Sequence, residues 1–288
     1  MTIEARTQAE TALPAAESGD PAYRFISPGR TWAMVIRYMY LLKGSWPRLV
    51  ELVYWPTVQM LMWGFLALYL SEQSGYFAKI GSVFIGSVLL WDILFRGQLG
   101  FSLSFMEEMW ARNMGHLMMT PLRPLEFASA LMVMSVIRLA IGLIPVTLMA
   151  MAFFGFNLWA LGLALVALFC NLFLTSWSIG LFVSGLVLRY GLGAESLAWS
   201  LMFLLLPLAC VYYPVDVLPE WLQWISLSLP PTYVFEGMRA LLIDGVFRGD
   251  LMLWSLLLNL VWFAVGLFAF LRFFDAARDA GSLLQLGE

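Results

Sequence analysis

Long apolar runs separated by short polar stretches fill the chain from about residue 50 to residue 274. A bilayer core of about 30 Å is crossed by roughly 20 apolar residues in a helix. None of the runs alternates apolar and polar residues as the strands of a membrane barrel do. The pattern therefore predicts an all-α integral membrane protein with six transmembrane helices. The predicted spans are Val50–Leu70, Ile80–Leu103, Phe127–Phe153, Leu158–Leu188, Ser196–Tyr213 and Leu251–Phe274.

The segment Val211–Gly245, between predicted spans five and six, has a different pattern. Four prolines divide it into two short pieces with helical periodicity, Glu220–Ser228 and Tyr233–Asp244. Broken helices at membrane depth are tolerated where protein or a water-filled cavity surrounds them. We therefore predict two re-entrant outer helices that line a path. The candidate path and gate residues are Tyr212, Tyr213, Trp221, Trp224, Tyr233, Glu236 and Arg239. The aromatic ones fit an interfacial belt or a surface for sugar stacking.

The ends of the chain give the remaining domain boundaries. Residues 1–27 are polar and acidic and are predicted to be a disordered cytoplasmic tail. Residues 28–48 carry apolar positions at helical spacing among basic ones, which predicts an amphipathic helix in the inner membrane interface. The alternative is a simple extension of the first span. The transmembrane domain is assigned to residues 49–274, and residues 275–288 to a cytoplasmic C-terminal tail.

Composition supports the membrane assignment and narrows the chemistry. The chain is 61% hydrophobic and 12% charged, with a mean hydropathy of +0.83, whereas soluble domains carry about 25% charged residues. A net charge of −3 does not indicate a nucleic-acid partner. A single histidine, His116, and two separated cysteines, Cys170 and Cys210, argue against a metal site. We assign no catalytic residue.

Basic residues set the predicted orientation, because cytoplasmic loops carry an excess of Lys and Arg. Among the basic residues from Arg24 onwards, and apart from Arg96 and Arg138 within predicted spans, a cytoplasmic N-terminus places ten inside and three outside. Both termini are therefore predicted to be cytoplasmic. The inside set is Arg24, Arg30, Arg37, Lys43, Arg48, Arg112, Arg123, Arg189, Arg272 and Arg278, and the outside set is Lys79, Arg239 and Arg248.

The predicted inner loop between spans two and three has a helix-compatible start. Acidic Glu107 and Glu108 precede Arg112. Met106, Trp110 and Met114 recur at a spacing of four residues and form an apolar stripe. A short helix with such an exposed stripe fits a groove on a cytoplasmic partner. A helix lying on the bilayer surface is the alternative.

Two motifs resemble those of the type-2 permeases of ATP-binding-cassette (ABC) exporters. The first extends from Glu107-Glu108 through Gly115-His116-Leu117 to Thr120-Pro121-Leu122-Arg123-Pro124-Leu125-Glu126. The second extends from Pro214-Val215 through Leu218-Pro219-Glu220-Trp221-Leu222 to Glu236-Gly237-Met238-Arg239-Ala240-Leu241-Leu242. The resemblance covers the chain from Pro28 to about Arg278.

The resemblance implies a working arrangement. Met106–Gly115 would be the coupling helix that docks on an ATPase subunit, and Pro28–Lys43, with Arg37, the interface helix that touches the same subunit. Leu218–Asp244 would cap the export path. Family members work as two permease chains with two ATPase chains, which bind ATP and Mg. Their cargoes include polysaccharides, lipo-oligosaccharides, lipids and drugs, and the location would be a bacterial cytoplasmic membrane. The chain itself has no G-x-x-x-x-G-K-[ST] phosphate-binding loop.

Three charged residues lie well inside predicted spans, away from the span ends, where ionised side chains are costly. Asp92 and Arg96 are four residues apart in the second span, and Arg138 is in the third. They fit a structural ion pair that Arg138 shares, or a charged wall that contacts an anionic cargo headgroup.

Other function classes fit less well. A gradient-driven secondary transporter requires inverted repeats or acidic residues at mid-membrane depth in both halves, and only Asp92 qualifies. An intramembrane enzyme requires a cluster of His, Asp or Glu near one interface. A scramblase or scaffold is excluded only by the motif resemblance.

Overall fold

The computed structural model describes residues 26–72 and 77–279. These residues form helices joined by short turns, with no strand among them, which confirms the all-α prediction. The predicted tail up to residue 25 and the last nine residues lie outside the described residues. The α-helices are α1 Pro28–Lys43, α2 Trp46–Glu72, α3 Phe77–Trp110, α4 Met114–Met118, α5 Pro124–Phe154, α6 Leu163–Tyr190, α7 Ser196–Leu208, α8 Glu220–Leu227, α9 Pro230–Asp244 and α10 Gly249–Asp279.

Five of these helices, α2, α3, α5, α6 and α10, are long and apolar enough to cross a membrane. They correspond to predicted spans one, two, three, four and six. Several extend beyond the predicted limits: α10 continues to Asp279, into the segment assigned as a tail. The fourth begins only at Leu163, because Gly162 has a φ of 55° and a 3-10 turn, Leu158–Leu161, precedes it.

The fifth predicted span, Ser196–Tyr213, is wrong as one continuous helix. Helix α7 has 13 residues and ends at Leu208, which at 1.5 Å per residue is about 20 Å. Pro207 lies in its last turn. Cys210 then adopts a φ of 51°, which turns the chain away from the helix axis.

Helix α1 is separate from α2, so the first span is not simply extended backwards. The helix predicted over residues 28–48 ends at Lys43, and α2 begins at Trp46 after a break at Gly44 and Ser45. Helix α1 packs on α5. It buries Val35 and Tyr38 in a cluster that also contains Phe105 of α3.

The described residues form two hydrophobic clusters. One contains Leu89, Leu172 and Phe235, and the other contains Tyr38, Phe105, Leu131 and Phe274. Helix α6 is central, with α10 and α3 as its most extensive neighbours.

The contact between α6 and α10 is unusually close. A β-carbon built on Gly266 would lie 2.5 Å from the Ser178 carbonyl oxygen. Thr175 Oγ1 donates to Asn259 Oδ1 over 2.7 Å, and Asn259 Nδ2 donates to the Asn171 carbonyl over 2.9 Å. Backbone proximity and buried hydrogen bonds therefore join these two helices.

Candidate functional site

Ion pairs join α1, the last turns of α3 and the first turn of α5 at one end of the molecule, where α4 packs in the same hydrophobic cluster. We call this end the inner floor, after its predicted orientation. Arg30 on α1 donates from Nη2 to Glu126 Oε1 over 2.6 Å and from Nε to Oε2 over 2.9 Å. Glu126 is fully buried and also accepts from the backbone N–H groups of Ser27 and Arg123. This carboxylate fixes the start of α1 against the start of α5.

A second ion pair joins α1 to α3. Arg37 Nη2 donates to Glu108 Oε2 over 3.0 Å, and its Nη1 donates to Oε1. Asn113 Nδ2 also donates to Glu108, over 2.8 Å. The hydrogen bond to Glu108 raises the pKa of the Arg37 guanidinium. Burial, reinforced by the Glu108 carboxylate, raises the pKa of the neighbouring Tyr38 phenol well above its usual value.

The prediction that Met106–Gly115 forms a separate helix projecting from the span is wrong. Residues 106–110 are the last turns of α3, and the chain turns at Arg112, which has a φ of 52°. Met106 and Met114 are each 1% exposed, because they join the cluster around Tyr38. The prediction of an exposed apolar stripe formed by Met106, Trp110 and Met114 is therefore wrong. Sequence periodicity marked an apolar face, but packing within the chain buries Met106 and Met114.

Glu107 and Glu108 also turn inward and pair within the chain. Of the seven residues assigned to ATPase coupling, Trp110 and Arg112 are exposed, and Arg37 is partly so. Whether they contact an ATPase subunit stays a prediction.

A different surface is open at the inner floor. Trp110 is 46% exposed and Met119 is 74% exposed, with Arg112 and His116 exposed beside them in the chain. We call these four residues the docking surface. Trp110 Nε1 donates to Glu195 Oε2 over 3.2 Å, which ties the surface to the turn before α7. Met119 escaped the sequence interpretation because it is outside the regular stripe.

The intramembrane charges pair within the chain. Arg96 Nε donates to Asp92 Oδ2 over 2.8 Å, as the spacing of four residues predicts. Arg138 does not share that pair, so this part of the hypothesis is wrong. Its Nη2 instead lies 2.9 Å from Glu107 Oε2, and Arg48 Nη1 lies 3.3 Å from Glu107 Oε1. Sequence reasoning missed both of these ion pairs, because it assigned Glu107 to an exposed surface.

These charges line a cavity of about 640 Å³ between α2, α3, α5 and α7. Its charged lining residues are Arg48, Glu51, Arg96, Glu107 and Arg138, and its aromatic ones are Trp55, Phe95, Trp110, Trp199 and Phe203. It therefore combines a charged wall with an aromatic one.

The segment that follows α7, up to the end of α9, contains a second polar cluster. Arg239 Nη2 donates to Glu236 Oε1 over 2.8 Å, and Arg239 Nη1 donates to the Cys210 carbonyl over 2.9 Å. Glu236 Oε1 also accepts from the Val215 N–H. The pair on α9 thus holds the loop that follows α7.

The aromatic gate candidates do not form one group. Tyr212 stacks on Phe84 at 5.2 Å and lies 5.6 Å from Trp63, which connects the loop to α3 and α2. Tyr213 and Tyr233 donate to nearby carbonyls, those of Pro207 and Leu227. Trp221 and Trp224 are exposed on α8. The gate role stays a prediction for all of them.

Within the described residues, no group of three His, Cys, Asp or Glu side chains is placed to hold a metal ion.

Comparison with known sequences assigns the family. No curated protein matches the chain. The family model described as ABC-2 type transporter matches residues 30–243, which include both motifs that carried the resemblance. That family implies partnership with an ABC ATPase subunit. The chain belongs to the ABC-2 type transporter family and is a multi-pass membrane permease component of an ABC transporter.

Proposed function

We propose that this chain is the transmembrane subunit of an ATP-driven exporter in a bacterial cytoplasmic membrane. Two copies form the path, and two ATPase subunits bind ATP and Mg and supply the energy, while the chain itself has no ATPase site. Helix α7 is the short fifth of six spans, α8 and α9 re-enter the membrane from outside, and both termini are cytoplasmic. The cargo is a lipid-linked, glycan or amphipathic drug-like molecule.

One observation carries the proposal: α3, the helix that ends in the docking surface, is joined by ion pairs to α1 and α5. Trp110 ends α3, and the same helix carries Leu103 about two turns earlier and Arg96 about four turns earlier, both on the cavity wall. Glu108 fastens α1 to this helix, and Glu107 fastens α5 to it. A displacement applied at the docking surface therefore reaches α1, α3 and α5 together.

The mechanism follows from that connection. Closure of two ATP-bound partner subunits pushes on the docking surface, and the inner floor transmits the push to α3 and α5. Tilting of these helices changes the width of the cavity. At the outer end, Tyr212 contacts both α2 and α3, so the same tilt releases the loop that Arg239 holds. Cargo leaves past α8 and α9.

The experiment is a Met119→Glu substitution. Met119 is highly exposed, so the change adds a carboxylate to the docking surface without disturbing the core. We expect the variant complex, purified from source membranes, to carry at least about tenfold less ATPase activity than the wild-type complex. The reason is that burial of an unpaired charge in an interface is strongly unfavourable.

Trp159→Glu is the matched control. Like Met119, Trp159 is a large apolar residue on the surface, with 53% of it exposed. It lies in the turn between α5 and α6, away from the docking surface. It should retain the ATPase. Equal retention by both variants would contradict docking, and uphill transport by the purified chain alone in proteoliposomes would favour a gradient-driven transporter.

A further inference from the structure

Helix α7 separates the charged cavity from a second one, which we call the apolar cavity. Trp199 and Phe203 line the charged cavity, whereas Leu201 and Leu205 line the apolar one. The apolar cavity has a volume of about 240 Å³ and lies among α6, α7, α10 and residues 229–231, which form the joint between α8 and α9. None of the described residues that line it is charged.

The polar groups on the wall of the apolar cavity are already used within the chain. Thr175 Oγ1 donates to Asn259 Oδ1 over 2.7 Å, and Ser178 Oγ donates to the Leu174 carbonyl over 2.7 Å. A buried water needs about two to four polar partners, and an apolar cavity of about 150 Å³ stays dry and takes benzene instead. The apolar cavity is larger than that, at about 240 Å³. It is therefore a site for hydrocarbon and not for water.

The apolar cavity opens between helices that are long enough to span the membrane. Phe182 on α6, Leu204 on α7 and Val265 on α10 line it and are also exposed. At this opening the surrounding medium is the hydrocarbon core of the bilayer, which is about 30 Å thick. An alkyl chain can enter from there, whereas a headgroup would leave its polar atoms unpaired inside.

The apolar cavity lies directly behind the joint between α8 and α9. Helix α10 holds this joint through two hydrogen bonds: Ser255 Oγ donates to the Pro230 carbonyl over 2.9 Å, and Trp262 Nε1 donates to the Ser228 carbonyl over 3.1 Å. Pro230, Pro231 and Trp262 also line the cavity. If the cavity were empty, these side chains would lose their dispersion contacts on that side.

We propose that the apolar cavity holds the end of one acyl chain of a resident bilayer lipid, packed behind the joint between α8 and α9. The lipid headgroup stays outside the cavity, so occupancy depends on apolar fit and not on headgroup charge. This inference goes beyond the proposed function, because a resident chain is neither cargo nor part of the ATP-driven cycle. It stands or falls independently of the docking surface.

The test uses the full chain in nanodiscs of dioleoyl phosphatidylcholine with a small share of the same lipid carrying a diazirine at the end of one acyl chain. After irradiation, mass spectrometry locates the labelled residues. We expect label on Ile179, which is partly buried on the cavity wall. Val261 is exposed on α10 next to the cavity-lining Trp262 and reports contact with the bulk lipid. Absence of label on Ile179 would overturn the proposal.

Filling the apolar cavity gives the decisive comparison. Leu205→Trp places an indole on the cavity wall, so label on Ile179 should fall at least about tenfold, because the occupied volume excludes the chain. Label on Val261 should stay unchanged. Leu208→Phe, at a partly exposed position of the same wall, is the second filling variant in case the first does not fold.

Leu257→Trp is the matched control, because Leu257 is exposed on α10 outside the apolar cavity. It should change the label on neither Ile179 nor Val261. If Ile179 kept its full label in a folded filling variant, bulk lipid would be its source and the proposal would be wrong.

Two further measurements separate the resident chain from other occupants. Phosphatidylglycerol with the same diazirine chain should label Ile179 to the same extent, and a preference above about threefold for either headgroup would contradict the proposal. A second copy of the chain seated over the opening would abolish the label on Ile179, which also overturns it. In the complex with the ATPase subunit, ATP turnover should leave this label unchanged. A fall during turnover would identify the occupant as cargo instead.

Discussion

Arg37 and Glu108 form an ion pair across 71 residues of sequence, with Nη2 and Oε2 separated by 3.0 Å. The two ends of this pair lie in unequal surroundings. The Glu108 side chain is 1% exposed, whereas that of Arg37 is 35% exposed. Arg37 can therefore turn outwards if its partner is removed, but Glu108 cannot.

This asymmetry predicts that Arg37→Ala destabilises the protein more than Glu108→Gln. Removing Arg37 leaves a buried carboxylate with Asn113 as its remaining side-chain donor, and breaking a buried pair costs about 3–5 kcal/mol. Replacing Glu108 by Gln should cost about 1 kcal/mol, the net value of a typical hydrogen bond. Thermal unfolding in detergent measures both.

The double variant Arg37→Ala with Glu108→Gln is the control for this prediction. It should be more stable than Arg37→Ala alone, because no carboxylate remains unpaired. Additive losses would contradict the ion-pair explanation.

Removing Arg239 should open the outer loop. In a Cys170→Ser background, Cys210 is the one thiol of the chain, and it is fully buried. Arg239→Ala removes the donor to its carbonyl, and hydrogen bonds to charged groups contribute about 1.5–3 kcal/mol each. We expect maleimide to label Cys210 at least about tenfold faster.

Arg248→Ala provides the matched comparison for thiol labelling. Arg248 also pairs with an acidic residue, Asp250, but both side chains are about half exposed. Exposed pairs contribute about 0–1 kcal/mol, so labelling should be unchanged. If both variants increased the rate of Cys210 labelling equally, the hydrogen bond from Arg239 would not be what keeps the loop closed.

Gly266→Ala should separate α6 from α10. The added β-carbon would meet the Ser178 carbonyl oxygen at 2.5 Å, and backbone atoms move less readily than side chains. Overpacking of this kind costs about 1–3 kcal/mol, which is measurable as a lower unfolding temperature in detergent. Gly193→Ala, where the added β-carbon has no heavy atom of the described residues within 4 Å beyond its chain neighbours, should have no such effect.

Asn259→Leu should weaken the same helix pair by a smaller amount. It removes hydrogen bonds to Asn171 and Thr175, and such interhelical bonds in membranes average about 0.6 kcal/mol with a maximum near 1.7. Unfolding in detergent at graded denaturant concentrations measures the difference. A loss larger than that of Gly266→Ala would contradict this ranking.

Sequence patterns predicted the long helices because length and apolarity alone decide them. The Asp92 and Arg96 pair was predicted for a similar reason, since its partners are one helical turn apart. The partners of Arg138 and Arg30 could not be predicted from the sequence, because tertiary packing brings Glu107 and Glu126 to them. Periodicity found the apolar face around Met106 but did not reveal that tertiary packing buries it in the cluster around Tyr38.

The break after α7 shows another limit. Ser196–Tyr213 reads as one apolar run, and hydropathy does not report that the chain turns at Cys210. Pro207 was the local signal for an early end, although the continuing apolar residues concealed it.

The internal pairing of Arg30 and Arg37 has a consequence for grafting between members of the ABC-2 type transporter family. Their carboxylate partners, Glu126 and Glu108, lie 96 and 71 residues further along the chain. A chimaera that exchanges only residues 110–121 keeps these contacts and, if the proposed docking surface is right, should change partner choice alone. A chimaera that exchanges residues 28–43 alone can leave Glu108 and Glu126 buried without their arginine partners. Recombination breakpoints should therefore keep α1 and these two glutamates from a single parent.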